Sequence, residues 1–416
     1  MKYSRGSIAA TATMLMATAG LAACSTGGTS GDDNDSIRIL GFVPIPQEIL
    51  DDFESETGIS VEIDRQGGGD FPQILQSRVA AKSDIDVLNV RGGAEFNRYA
   101  TAGTFADLTG EDFLDNVSEV GIAPGVIDGK NYGYSNTSYV TGVFYNKDMF
   151  EKLAIEVPTS WQELTAAADE IKASGTAPFV FTASEAWTNQ YFYHNAIAIH
   201  AEENPQFMEN VATGEETWED NTLFTRQIGR FEELVDNDYF VSGAQSISGQ
   251  QGQAMFGSGD AAMYLMGTWT IATLEPDFEL GMFALPINDS GEPAAVASSL
   301  SDNMYTVTSW SKKQDAAKQF LEFMTREEIA TKYAEANVNS STIKGVTTDN
   351  VAYQDDIDAL LEAAAPYPTN IGPSVNGTGP ELLGDILAGV SDPDRVIADF
   401  QELQESDNET DYYVSN

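Results

Sequence analysis

Among the side chains that carry covalent or proton-transfer chemistry, two kinds are almost missing from this sequence. One cysteine, Cys24, and two histidines, His194 and His200, are spread over 416 residues. A single thiol makes no intrachain disulfide and no Cys-rich metal site. The histidines stand six apart, without the i, i+4 spacing that sets two imidazoles on one helix face, so no metal site is expected. Gly67-Gly68-Gly69 is not followed by Gly-Lys-Ser or Gly-Lys-Thr, and no Gly-x-Ser-x-Gly is present, so neither a phosphate loop nor a hydrolase elbow can be drawn. Carboxylates are plentiful, 65 Asp and Glu, and a facing pair of the kind a glycosidase uses is not excluded by composition. Charged residues also stand where ligands of open α/β sheets bind: Asp70 after the glycine run, and Arg91 and Glu95 just past the apolar segment IDVLNV. Trp187, Tyr191 and Tyr193 lie in ASEAWTNQYFYHN, a stretch too polar for a plain core helix. Flat rings beside amides suit a ligand with apolar faces and hydrogen-bonding edges, and they also suit a lobe interior.

The formal charge of -44, from 21 Lys and Arg against those 65 acids, repels phosphate backbones and anionic lipid surfaces, so no nucleic-acid partner is expected. At this length, with 42% apolar residues, two cores are the default. Lys2 and Arg5 precede sixteen uncharged residues, Ile8 to Ala23, ending Leu21-Ala22-Ala23 before Cys24. This is the layout of a secretory signal, and it is too short and too rich in Ala and Thr for a membrane span. The Leu-Ala-Ala-Cys ending resembles the lipobox of bacterial lipoproteins. It implies cleavage after residue 23, lipid attachment at Cys24 and a place on the outer face of the cytoplasmic membrane. Residues 24–36, CSTGGTSGDDNDS, have no apolar face and read as a flexible linker.

From Ile37 the pattern alternates. IRILGFV is a short buried strand, QEILDDFESET a helix with Ile49, Leu50 and Phe53 on one face before Gly58, and Ile59 to Ile63 a second strand. A helix between two buried strands is the crossover that a parallel pair requires. Pro72 opens a further helix and IDVLNV supplies the next strand, so the class is α/β. Later, Ser160 with Glu163 fits a capping box before a helix ended by Gly175, and Ala317, Phe320, Leu321 and Met324 form the apolar stripe of another helix.

Three segments carry a resemblance. They are YGYSNTSYVTGVFYNKDMFEKLAIEVPTSWQEL from Tyr132, QAMFGSGDAAMYLMGTWTIATL from Gln253 and TVTSWSKKQDAAKQFLEFMTRE from Thr306. Their order and motifs are similar to those of the family 1 extracellular solute-binding proteins, the group that includes maltose-binding protein. The resemblance implies a two-lobed periplasmic-binding-protein-like fold, each lobe a mostly parallel sheet flanked by helices, with a hinge of several segments. On that pattern residues 1–23 are the signal, 37–143 with 282–327 the N-lobe, and 144–281 with 328–416 the C-lobe. The crossings fall near Tyr139 to Phe144, Met282 to Ala284 and Met324 to Glu328. The resemblance further implies a monomeric, non-enzymatic binder without cofactor, which captures a carbohydrate in the cleft and hands it to an ABC permease. A polyamine or peptide is the alternative solute. Trp269, after Gly267-Thr268, matches the family's Gly-x-Trp, whose ring stacks on sugar; Trp187 and Tyr191 fall where the family has a cleft aromatic. Asn303, at the start of the strand reaching Val307, is a further candidate contact.

Overall fold

In the computed structural model residues 36–66, 71–301, 303–348 and 351–409 are described. Ser36–Gly41 and Ser60–Arg65 run parallel, with Ser36 opposite Ser60 and Gly41 opposite Arg65. The intervening helix Gln47–Thr57 buries Ile49, Leu50 and Phe53 and stops at Gly58, whose φ of 74° is the left-handed conformation glycine adopts without a Cβ penalty. Val87–Arg91 lies parallel on the other side of Ser36–Gly41. Asn303–Val307 and Tyr134–Ser135 then extend this five-stranded sheet as antiparallel members. Helix Gln314–Met324 covers it. Phe320 and Phe323 close on Phe53 with ring centroids 5.2 Å apart, and Ala317, Phe320, Leu321 and Met324 are buried as their spacing requires.

The second sheet is built on Thr137–Asn146, a ten-residue strand with every residue buried. Its sequence, TSYVTGVFYN, is rich in β-branched and aromatic side chains, which suit a strand covered on both faces. Ala261–Gly267, Leu280–Phe283 and Ser298–Leu300 pair with it antiparallel, and Ala177–Val180 lies parallel to Ala261–Gly267. The sheets are therefore mixed, and the expectation of mostly parallel sheets fails for this one. Alternating apolar patterns mark strands but carry no sign of their direction.

The expected boundaries also move. Val143, Met282 and Phe283 belong to the second sheet and its core, while Ile329, Ala330, Tyr333 and Ile343 pack on the first. The chain changes sheets at Asn136, between Leu300 and Asn303, and between Val346, which touches the first core, and Val351, which touches the second. Strand partners decide these crossings, and partners are set by contacts far apart in sequence. Two of the crossings are tied together. Asn89 Nδ2 donates to Asn303 Oδ1 at 2.5 Å, and Asn303 Nδ2 donates to Asn136 Oδ1 at 3.1 Å and to the Tyr333 hydroxyl at 3.3 Å.

Two local expectations are met with one change. Ser160 Oγ accepts from the Glu163 amide and caps Trp161–Ala173, but Glu163 reaches back to the amide and hydroxyl of Thr159.

Candidate ligand-binding site

The strand Ala261–Gly267 ends at the hinge side of the second sheet, with Gly267 opposite Thr141, and the chain then turns through the short 3-10 helix Thr268–Thr273. This turn folds the Trp269 indole back over residue 267. A Cβ at Gly267 would lie 1.9 Å from the Trp269 ring, so the glycine two residues earlier is what admits the indole. Trp269 is half-buried. Its ring meets Tyr139 at 5.7 Å, nearly edge-on, and Tyr191 at 5.0 Å.

The second wall comes from the strand Ala177–Val180, after which the chain winds into the 3-10 helix Ala186–Phe192. Trp187, with 43% of its surface exposed, stands edge-on to Tyr191 at 6.0 Å. Its indole Nε1 donates to Glu185 Oε2 at 3.1 Å, and the other Glu185 oxygen accepts from the Gly249 amide at 2.7 Å. Glu185 thus fixes the Trp187 ring to the start of helix Gly249–Gly257. Tyr191 is buried beneath both tryptophans and supports them. Pairs of rings at these separations each add roughly 0.5–1.5 kcal/mol beyond the area they bury.

Around this trio opens a groove of about 700 Å³, lined by Trp187, Trp269 and Glu185 together with Gln250, Gln253 and Thr270 among others. Its volume lies within the ~300 to 1,000 Å³ typical of small-molecule sites. Every described residue lining it belongs to the second lobe. Exposed indole faces can stack on apolar ring surfaces, and the amides and hydroxyls alongside can donate and accept hydrogen bonds.

The first lobe offers a different surface. Arg91 is exposed at the strand end with its guanidinium 5.6 Å from the Phe42 ring centre. Glu95 opens the helix Ala94–Thr101. Burial raises its carboxyl above the usual range, against the opposing pull of Arg98 and Arg91. Neither residue lines the groove. Nearby, Asn97 Nδ2 donates across to the Thr369 carbonyl of the second lobe at 3.5 Å.

Among the expected contacts, then, Trp269 and Trp187 share the groove and Tyr191 underlies it. Asn303 is corrected: it is 1% exposed, and both ends of its amide are engaged with Asn89, Asn136 and Tyr333. It is a hinge residue. Tyr193 and His194 are interior as well, at 2% exposure each, with the imidazole stacked on Tyr367 at 3.8 Å. Burial holds the His194 pKa down at about 3. Asp70 and Cys24 lie outside the described residues. Glu185, Gln250 and Gln253 escaped the sequence reading. The signal available for them was a carboxylate two residues before an exposed tryptophan, and two glutamines spaced i, i+3 on a glycine-rich helix.

Residues 42–331 match the family model of bacterial extracellular solute-binding proteins. The chain belongs to this family. Among curated members, the multiple sugar-binding protein of Streptococcus mutans is 25% identical over 342 residues, covering 79% of this chain and 80% of that protein. A diacetylchitobiose-binding protein of Streptomyces coelicolor is 25% identical over 344 residues, 77% of this chain and 73% of its own. Among solved structures, a chitin oligosaccharide binding protein superposes with a TM-score of 0.76 at 22% identity, covering 90% of this chain and 99% of that one. Family members are solute-binding proteins with two lobes, and this chain has the same two-lobed architecture.

Proposed function

We propose that this protein captures a carbohydrate, an oligosaccharide in preference to a single sugar, and delivers it to an ABC permease as a lipid-anchored, monomeric binder without catalytic activity. One observation carries the reading: two indoles, Trp187 and Trp269, are held open to solvent around a half-buried carboxylate and a row of amides. Sugars have apolar C–H faces ringed by hydroxyls, and that arrangement complements both parts. The sugar-binding relatives support the same solute class. Arg91 and Glu95, on the first lobe, meet the ligand only when the lobes come together; bonds available only in the closed form shift the population towards it. The lipobox-like Leu21-Ala22-Ala23-Cys24 supports the anchor.

Glu275 and Asp277, at the far end of the groove, favour a second reading, a cationic solute such as a polyamine. A thermal-shift screen of the Cys24→Ser protein against saccharides, polyamines and peptides separates the two. A ligand that binds only the native state raises stability by about 2.7 kcal/mol at a hundredfold excess over its Kd. A shift with saccharides that vanishes in Trp269→Ala supports the first reading. A shift with polyamines alone, weakened by added salt, replaces it with the second. For the anchor, mass spectrometry of the membrane fraction should find a diacylglycerol-modified N-terminal Cys24; an unmodified, freely released protein would contradict it.

A further inference from the structure

Helix Gly249–Gly257 turns Gly252 and Phe256 into the core. Its other side, Gln250, Gln253, Ala254, Gly257 and then Ser258, follows i, i+3, i+4, i+7, i+8 spacing, and all five residues line the groove. One stripe of a helix therefore forms one wall of the groove from end to end. From Gln250 to Ser258 this is about 12 Å of helix axis. Ala254 and Gly257 keep the wall low, and Gln253 has its carbonyl occupied by the Thr273 hydroxyl at 2.9 Å, leaving its N–H donors for a ligand.

The sheet register gives the groove a direction. Its upper end is at the hinge side: Gly249 bonds to Glu185, and a Cβ at Gly252 would meet Thr182 and Val180, next to the ends of the strands that point at the cleft. Its lower end lies away from the hinge. Gly257 sits against the Glu275 carbonyl, and the chain soon enters Leu280–Phe283, where Leu280 faces Asn146, the last residue of the long strand. The groove thus starts at the tryptophans and leaves the cleft along the flank of the second lobe. A single sugar ring stacked on Trp187 and Trp269 occupies only its upper end.

We propose that this flank holds additional subsites for the third and later rings of a linear oligosaccharide, with Gln250 and Gln253 as hydrogen-bonding side chains and Ser258 at the outer limit. The proposal rests on the sugar reading above. It has a physical corollary. Rings bound by one lobe only are held equally well with the lobes open or closed, so they add affinity without adding any drive to closure. Chain length is then read by the second lobe, and closure is driven by the rings in the cleft.

The test is calorimetric titration of the Cys24→Ser protein with N-acetylglucosamine oligomers of one to five units and with the series melibiose, raffinose, stachyose. The wild type should gain about tenfold or more in affinity, near 1.4 kcal/mol, between two and four units of the series it binds. Ser258→Trp and Ser258→Tyr, which fill the outer limit of the groove, should remove most of this gain while leaving the two-unit Kd within about twofold of the wild type. Small-angle scattering should show the same compaction with two and with four units. A Kd that levels off at two units, or a gain untouched in both variants, overturns the flank subsites and leaves the sugar reading standing. Absence of binding to every member of both series overturns the two together.

Discussion

The second lobe contains two clusters of aromatic rings that differ in how they are closed. In its interior, Trp218 has no exposed surface, meets Phe207, Phe224 and Phe400 at 5.8, 5.2 and 5.8 Å, and donates its indole N–H to Gln404 Oε1 at 3.3 Å. At the groove, among the described residues, Trp187 and Trp269 touch other rings only through Tyr191 and Tyr139, and the Trp187 N–H goes to a carboxylate at the rim. Both clusters use the same residue types. In the first, ring area is used up in holding the lobe together; in the second, a face of each indole is left over for something that is not protein. That unused area, and not the presence of tryptophan, marks the proposed site.

The comparison breaks if the two clusters respond alike to truncation. Trp218→Ala should cost about 3–5 kcal/mol of stability, read by denaturant unfolding, because a large ring is removed from a site closed on all sides, while the fraction that remains folded binds ligand with unchanged Kd. Trp269→Ala should do the reverse. It should lower sugar affinity by about a hundredfold, near 2.7 kcal/mol, by calorimetry, with a smaller loss of stability. Asn303→Ala probes the hinge. It leaves Asn89 and Asn136 without their shared partner and should cost about 1–3 kcal/mol, again by denaturant unfolding.

A further prediction concerns acid. His194 is held neutral by burial, with a pKa of about 3 against 6.5 for a free imidazole, and its ring contacts are Tyr191, Tyr193 and Tyr367. The unfolded chain takes up this proton below pH 6.5 and the folded chain resists it down to about 3, so the contribution to stability is complete above pH 6.5 and declines as pH falls through that window. His194→Phe, which keeps a ring against Tyr367, should lose less stability between pH 7 and pH 4 than the wild type, measured by thermal unfolding across that range.

Local signals in the sequence reported the elements well. The helix Gln47–Thr57 with its Gly58 stop, the Ser160 cap and the buried stripe of Gln314–Met324 all depend on residues a few positions apart. Trp269 was legible through the resemblance, whose Gly-x-Trp it matches, and the structure adds the reason for the spacing: the turn requires the glycine two residues before the indole. The crossings were not legible. Leu280–Phe283 is an apolar run and Ser298–Leu300 a mostly polar one, and only their pairing with Thr137–Asn146 assigns both to the second lobe. Asn303 misled for a related reason: a polar residue at a strand end suits a ligand contact, but its neighbours turned out to be two asparagines brought from positions 89 and 136. Gln250 and Gln253 were missed because their i, i+3 spacing sets them on one helix face without saying what that face meets.

The most direct test follows the tryptophan emission while the bound oligosaccharide is titrated in. The protein has five tryptophans, and only Trp187 and Trp269 line the groove among the described residues. On this account the ligand-induced change survives in Trp218→Phe and is lost, along with tight binding, in Trp269→Phe. A change that survives intact in the double variant Trp187→Phe, Trp269→Phe would place the ligand elsewhere and contradict the account.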